Sequence, residues 1–243
     1  MGDLKPLEQL KGLTQLTLSL SSRQVGDLKP LEQLKGLTQL TLDLGDEILF
    51  FSEVGDLKPL EQLTGLTQLT LDLNSQVSDL KPLEQLKGLT QLTLDLSDNQ
   101  VSDLKPLEQL KGLTQLTLNL GDSRVSDLKP LEQLKGLTQL KLHLRRSRVS
   151  DLKSLEQLKG LTQLTLTLGD SRVSDLKPLE QLKGLTQLTL TPGDEFDGGI
   201  SKVKDLEILI KFPQLRSLSI ERATTEQRKS LRSIPASLVE LKF

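Results

Sequence analysis

Leucine recurs along this chain in two alternating spacings, and each spacing predicts a different element. Around Leu104 leucine stands at every third residue, which is the period of a short 3₁₀ or helical turn. From Leu92 onward leucine alternates strictly with polar residues, which is the period of a half-buried strand. Pro106 suits the first turn of the helical piece and Gly112 suits its end. The pattern therefore predicts a short strand, a turn, a short helical piece and a second turn.

Both spacings belong to one sequence unit, DLKPLEQLKGLTQLTL, which recurs with small changes. Five of the seven spacings between copies are 24 residues, and the other two are 29 and 23 residues. Burying the leucines of one unit does not offset the conformational entropy lost by its backbone, so a unit cannot fold alone. Stacking makes the leucine columns continuous and predicts parallel strands in one sheet. The copies begin at Asp3, Asp27, Asp56, Asp79, Asp103, Asp127, Asp151 and Asp175.

The divergent C-terminal segment, residues 193–243, still carries the repeat pattern after the eight near-identical copies of residues 1–192. We expect one leucine-rich domain over residues 1–243, in which this segment supplies a ninth repeat, a short helix over 224–230 and a tenth, capping strand. Thr224 and Gln227 have capping-box spacing, and Glu240 and Lys242 would discourage edge-to-edge pairing. The apolar positions of these two repeats are Leu206, Leu209, Phe212, Leu215, Leu218, Ile220, Leu238, Leu241 and Phe243.

The N-terminal segment enters the consensus at Asp3 without a polar cap. Solenoids need capping at both ends, so we expect the first leucine layer, from Leu4 to Leu18, to be bare on its outer side. This predicts that the natural chain continues upstream, that a partner covers this end, or that the first repeat mediates self-association.

The repeat resembles a known family. The pattern LxxLxLxL, followed by a turn and by V-S-D-L-x-P-L-x-x-L, is similar to the short leucine-rich repeats of bacterial internalins. The resemblance implies an α/β solenoid of about ten strands, with a parallel sheet on the concave face and short 3₁₀ or helical turns on the convex face. It also implies protein binding, most often through the concave face. One departure is the turn asparagine of the family, which stands only at Asn99, whereas Arg23, Ser123, Ser147 and Ser171 occupy the matching positions.

The composition of the chain argues against several classes of function. Cysteine is absent and the net charge is −2, so thiolate chemistry is excluded and general attraction to nucleic acid is not expected. No apolar run approaches the length of a membrane span. The absence of cysteine and of a signal-peptide layout favours a reducing, cytoplasmic location, unless a signal precedes Asp3. His143 is the only histidine and no enzyme motif accompanies it, so we expect no catalysis, no cofactor and no metal.

Polar residues between the strand leucines predict the candidate binding surface, because alternate residues of a strand face the same side. Reading across repeats, one column is glutamine and the next is mostly threonine. The candidates are the positions that depart from the duplicated background or carry charge, although drift at exposed positions would produce the same departures. They are the basic residues Lys141, His143 and Arg145 with Arg146 and Arg148, the acidic residues Asp43, Asp72 and Asp95, and Asn119.

An insertion after the second predicted strand, GDEILFFSEV, offers a second candidate. Phe50 and Phe51 are loop aromatics, a residue type that often anchors binding. The alternative is that both rings fold back over the leucine core. A loop around Phe196 has the same ambiguity.

Two functions remain open at the level of sequence. The first is a module that binds a protein ligand through the concave face, as part of a longer protein. The alternative is a structural or surface-adhesion array, in which the number of repeats matters and no discrete hot spot exists. The uneven insertions argue against a designed consensus scaffold, which would keep its spacing uniform.

Overall fold

One parallel sheet organises the part of the chain that the computed structural model describes, residues 4–20, 27–44, 54–73, 77–192, 206–221, 229 and 239–242. Over these residues the sheet has ten strands in chain order, and each pairs in parallel with its neighbours, as the repeat pattern predicts. The strands are β1 (Gln15–Ser19), β2 (Gln39–Asp43), β3 (Gln68–Asp72), β4 (Gln91–Asp95), β5 (Gln115–Asn119), β6 (Gln139–His143), β7 (Gln163–Thr167), β8 (Gln187–Thr191), β9 (Ser217–Glu221) and β10 (Val239–Lys242).

Short 3₁₀ helices connect the strands, which confirms the helical turn expected from the three-residue leucine spacing. In the fifth repeat Leu107 N–H donates to Leu104 O at 2.9 Å, and Leu110 N–H donates to Leu107 O at 3.0 Å. Three residues per turn place these leucines on one side, toward the core. Those in the described ranges are η1 (Lys5–Gln9), η2 (Lys29–Gln33), η3 (Lys58–Gln62), η4 (Lys81–Gln85), η5 (Lys105–Gln109), η6 (Lys129–Gln133), η7 (Lys153–Gln157), η8 (Lys177–Gln181) and η9 (Glu207–Lys211).

The polar residues of the consensus hold the turns of each coil. Asp103 Oδ1 accepts a hydrogen bond from Lys105 N–H at 2.8 Å and so satisfies a donor at the start of η5. Gly112 does not end the helix, which stops at Gln109. A Cβ at Gly112 would lie 3.3 Å from Leu89 O of the preceding coil, so glycine allows the two coils to approach closely.

A threonine ladder, which the sequence pattern did not reveal, joins successive coils just before each of the strands β2 to β8. Thr138 Oγ1 donates to Thr114 O at 3.1 Å, and Thr138 N–H donates to the same carbonyl at 2.9 Å. The contact recurs from Thr38 to Thr186. This threonine of the LTQLTL unit is therefore structural.

The leucine columns form one continuous core from the second coil onward. Leu40 is 2% exposed and Leu42 is fully buried. Their equivalents in the first coil, Leu16 and Leu18, are only partly buried, and Leu10 is 47% exposed. The first described leucine layer is thus less buried than the next.

The C-terminal repeats continue the same sheet. Leu218 of β9 pairs with Leu188 of β8, as the sequence alignment of the ninth repeat predicts. The sequence pattern aligns Leu241 with Leu218, but the structure pairs Leu241 with Ile220 and Val239 with Leu218. A shift of two residues keeps the same alternation, so a two-residue period cannot distinguish these registers. The predicted helix over 224–230 lies outside the described residues, except for Lys229, which is helical.

Candidate binding face of the sheet

The polar face of the sheet, defined as the non-leucine positions of β1–β8, presents three columns. The outer two begin at Gln15 and at Ser19, and the middle one begins at Thr17. In-register parallel pairing brings equivalent residues of successive repeats side by side, with strands about 4.8 Å apart. The third column reads Ser19, Asp43, Asp72, Asp95, Asn119, His143, Thr167 and Thr191.

Three carboxylates adjoin in this column, and we name Asp43, Asp72 and Asp95 the acidic column. Ser19 Oγ donates to Asp43 Oδ2 at 2.8 Å. Asp95 Oδ1 accepts from the N–H and the Oγ of Ser97, at 2.9 and 2.6 Å. Asp72 is exposed, but partial desolvation by the neighbouring strands raises the pKa of its carboxyl above its usual range, and the charges of Asp95 and Asp43 raise it further. The acidic column is therefore a negative pole with repulsion at its centre.

Asn119 links the acidic column to the turn after β5. Its Nδ2 donates to Asp95 Oδ2 at 2.8 Å, and its Oδ1 accepts from Gly121 N–H at 3.1 Å. The sequence predicted a ligand-binding role for Asn119. The structure places both ends of its amide in internal hydrogen bonds, where it positions Asp95.

Lys141 and His143 share one strand of this face but differ in charge. Lys141 is exposed and lies between Thr117 and Thr165 of the neighbouring strands. His143 is half-buried, and its Nδ1 lies 3.1 Å from Thr167 Oγ1. Burial lowers the pKa of His143 below its ordinary value, the Asp95 carboxylate opposes this shift, and Lys141 reinforces it.

The sequence leads to an expectation of positive charge at both positions, and the direction of this pKa shift counts against it at His143. A lowered pKa leaves the imidazole neutral at pH 7. Near neutral pH the charge that β6 adds to the polar face is that of Lys141.

The basic residues of the turn after β6 separate into different environments. Arg145 and Arg148 are exposed. Arg146 has a φ of 52° and reaches Asp122 Oδ2 at 3.9 Å and Asp170 Oδ2 at 3.8 Å, in the turns on either side. The positive charge of Arg146 is thus paired with neighbouring aspartates, although the sequence analysis places Arg146 with the other basic candidates.

Sequence reasoning missed the two arginines that flank Arg148. Arg124 and Arg172 hold the same turn position in the neighbouring repeats and are exposed. The signal for both is in the sequence GDSRV, which recurs at residues 121–125 and 169–173. Gln100 at the same position in the fourth repeat makes the change to arginine visible.

The loop aromatics predicted as binding anchors, Phe50, Phe51 and Phe196, lie outside the described residues. Within the described ranges, no group of three His, Asp or Glu side chains is arranged to hold a metal ion. A search of the same ranges finds no helix with the length and apolar character needed to cross a membrane.

The comparisons with known proteins agree with this geometry. No protein-family model matches the chain, and no curated protein matches its sequence. The solved structure of internalin C2 from Listeria monocytogenes is 26% identical, with a TM-score of 0.65 over 88% of this chain and 83% of that one. Internalin F from the same organism is 21% identical, with a TM-score of 0.54 over 97% of this chain and 82% of that one, and this second likeness concerns the fold alone. With its parallel sheet, its 3₁₀ helices and its repeat of mostly 24 residues, the chain is a leucine-rich-repeat protein with the solenoid architecture of the internalins.

Proposed function

We propose that the chain binds a protein ligand through the polar face of the sheet, across β2–β6. The resemblance makes this face the concave one. The observation that carries the proposal is Lys141, which replaces threonine in the middle column and is exposed. Its in-register neighbours are Thr117 and Thr165, and no described residue forms an ion pair with it. A carboxylate of the ligand would supply the missing partner.

The arrangement of charge supports a ligand that carries both signs. The acidic column ends at Asp95 on β4, and Lys141 lies two strands away on β6. Strand spacing puts the two poles on the order of 10 Å apart. Such a pattern selects the orientation of a ligand and disfavours partners with the wrong charge. Arg145, which follows β6, adds to the basic pole.

Reversing the basic pole tests the proposal. Binding proteins are captured by crosslinking to the immobilised wild-type chain, and the affinity of the purified ligand is then measured. The double variant Lys141→Glu with Arg145→Glu should weaken binding by about tenfold or more and reduce its salt dependence. A matched control, Lys135→Glu with Lys159→Glu, changes the charge equally at exposed turns that precede the strands. Unchanged affinity in the first variant would sink the polar-face proposal and favour the loop of Phe50 and Phe51.

The adhesion-array alternative predicts a different response to deletion. Removing residues 127–150 deletes the repeat that carries Lys141, and removing 151–174 deletes the repeat after it, whose strand β7 lies outside the proposed site. Both deletions remove 24 residues and leave the same Ser–Asp junction. A discrete site predicts loss of binding only in the first deletion, whereas an array without a hot spot predicts equal loss in both. Circular dichroism checks that each shortened solenoid is folded.

We also propose self-association through the first repeat, on the strength of its partly buried leucine layer. Exposed apolar patches mark interaction surfaces, and Leu10 is the large apolar side chain most open to solvent among the described residues. Sedimentation at rising concentration should show association that Leu10→Gln reduces. A monomer at every concentration would contradict this part of the proposal.

A further inference from the structure

Three arginines occupy the same turn position in consecutive coils, and we name Arg124, Arg148 and Arg172 the arginine row. Each stands between a buried serine and a buried valine, as Arg148 does between Ser147 and Val149. Those buried neighbours anchor the backbone on both sides, so the arginine side chain is directed to solvent. All three arginines are exposed.

The backbone holds the arginine row in register. The strands before these turns, β5, β6 and β7, pair residue by residue. Hydrogen bonds continue into the turns, where Asp122 N–H donates to Arg145 O at 3.2 Å and Arg146 N–H donates to Gly169 O at 3.0 Å. Adjacent coils in a parallel sheet are about 4.8 Å apart, so the row extends over about 10 Å.

Within the described part of the chain, the positive charge of the row has no counterion. Among the residues that the structure describes, none of the three arginines forms an ion pair. The nearest acidic residues in sequence are already engaged: Asp122 and Asp170 contact Arg146. The aspartates that follow each row position accept hydrogen bonds from backbone N–H groups at the starts of η6, η7 and η8. They are Asp127, Asp151 and Asp175.

Unlike the lysines before the strands, arginine holds this turn position only in the fifth, sixth and seventh repeats, and Lys202 aligns with it in the eighth. Gln100 stands at the row position in the fourth repeat. Lysine before the strand, as at Lys111, recurs in most repeats and belongs to the duplicated background. The three repeats of the row surround β6, which carries Lys141. Two independent departures from the consensus therefore concentrate positive charge in the same part of the solenoid.

We infer that the arginine row binds an acidic peptide segment. Guanidinium groups bind carboxylates in a bidentate manner, and a set of them on neighbouring coils fits a set of carboxylates along one extended segment. Alternate residues of an extended peptide are about 6.6 Å apart, whereas adjacent coils are about 4.8 Å apart. Arginine side chains are long enough to accommodate this difference. A nucleic acid is a less favourable ligand, because the chain has a net charge of −2 and the acidic column, on the same face as Lys141, would repel phosphates. The inference rests on the proposed function, because the segment would belong to the protein ligand.

A labelled deca-glutamate peptide tests the arginine row on the full chain by fluorescence anisotropy at low salt. The triple variant Arg124→Gln, Arg148→Gln and Arg172→Gln should weaken binding about tenfold or more, because three contacts with carboxylates are lost. The control Lys111→Gln, Lys135→Gln and Lys159→Gln removes the same charge at exposed turns with the same spacing and should change affinity by less than about twofold. Equal losses in the two triple variants, or no binding to the wild type, would overturn the inference. Tighter binding of a single-stranded oligonucleotide of equal charge, lost in the arginine variant, would overturn it as well.

The protein ligand separates this inference from the proposed function. If both hold, the ligand loses affinity for the arginine triple variant and also for the Lys141→Glu, Arg145→Glu variant. If the ligand binds the arginine variant as tightly as the wild type and loses affinity only for the second variant, the arginine row fails and the polar face stands. If only the arginine variant loses affinity, the row stands and the polar face fails.

Discussion

At the scale of single residues, equivalent positions of near-identical repeats differ in what their charge can do. The second residue of the turn after the strand adopts the left-handed region at Asp98, Asp122, Arg146 and Asp170, with φ between 52° and 54°. Aspartate tolerates this region better than arginine does. Arg146 lies between Asp122 and Asp170, and its charge pairs with these two aspartates. The charge of Lys141, with no such neighbours, is directed to solvent.

Replacing Asp72 by asparagine should stabilise the protein at neutral pH. The folded-state pKa of Asp72 is raised, so the folded protein binds more protons at this site, and stability falls as pH rises through the raised pKa. Asp72→Asn removes that cost, and the stability gap between variant and wild type should close as pH falls below about 4, where the carboxyl is protonated in both states. Urea unfolding across pH measures the gap.

The titration of His143 cancels in this comparison, because both proteins carry it. Asp98→Asn serves as the control, since it removes an exposed carboxylate outside the acidic column. A variant that is less stable than the wild type at pH 7 would show that Asp72 makes a favourable interaction that outweighs the repulsion.

At the scale of elements, the four turns after β4 to β7 divide into two kinds, according to whether a side chain forms a hydrogen bond within the turn. Asn99 is buried, and its Oδ1 accepts a hydrogen bond from Val101 N–H at 2.8 Å. Ser123, Ser147 and Ser171 are equally buried, but their Oγ atoms have no hydrogen-bond partner among the described residues. Serine is one atom too short to reach the valine two residues on. The turns of Ser123, Ser147 and Ser171 therefore lack the side-chain hydrogen bond that stabilises the Asn99 turn.

Restoring the asparagine should stabilise such a turn. Ser147→Asn is expected to raise the free energy of unfolding by about 1 kcal/mol, the usual net value of a hydrogen bond that satisfies a buried donor. The reverse change, Asn99→Ser, should lower it by a similar amount. Chemical denaturation of both variants provides the comparison. If Ser147→Asn is destabilising, the serine turns are too tight for the amide, and their geometry differs from that of the Asn99 turn.

At the scale of the whole molecule, stability depends on the position of a leucine within the stack. An interior coil covers its leucines from both sides, as at Leu116, which is 1% exposed. Leu16, its equivalent in the first coil, is covered from one side and only partly buried. Identical side chains in identical sequence therefore contribute differently to folding.

The two leucines form a matched pair for mutation. Leu116→Ala should cost about 2–5 kcal/mol, because a buried leucine leaves a cavity between coils that are held by their neighbours. Leu16→Ala should cost clearly less, since solvent already reaches that site. Denaturant unfolding measures both changes. Equal costs would mean that the first coil is covered in solution, and sedimentation of the wild type would then show whether a second copy covers it.

Much of the fold could be read from local sequence. The leucine spacing alone predicted the parallel strands and the 3₁₀ helices, because each period is tied to one backbone geometry and its repetition leaves one way to bury the leucines. It also predicted which strand residues share the polar face, and therefore that the acidic column and Lys141 lie on one side. Duplication helped, since departures such as Lys141 were visible against a uniform background.

The tertiary structure alone decided which of those charges are available. The neutral state of His143, the internal hydrogen bonds of Asn119 and the pairing of Arg146 all depend on atoms one coil away, whose distances no spacing along the chain encodes. The register of β10 was undetermined for a related reason, because a two-residue shift preserves the alternation. Periodicity specifies a fold made of repeats, whereas the electrostatics of one site depends on particular contacts between neighbouring coils.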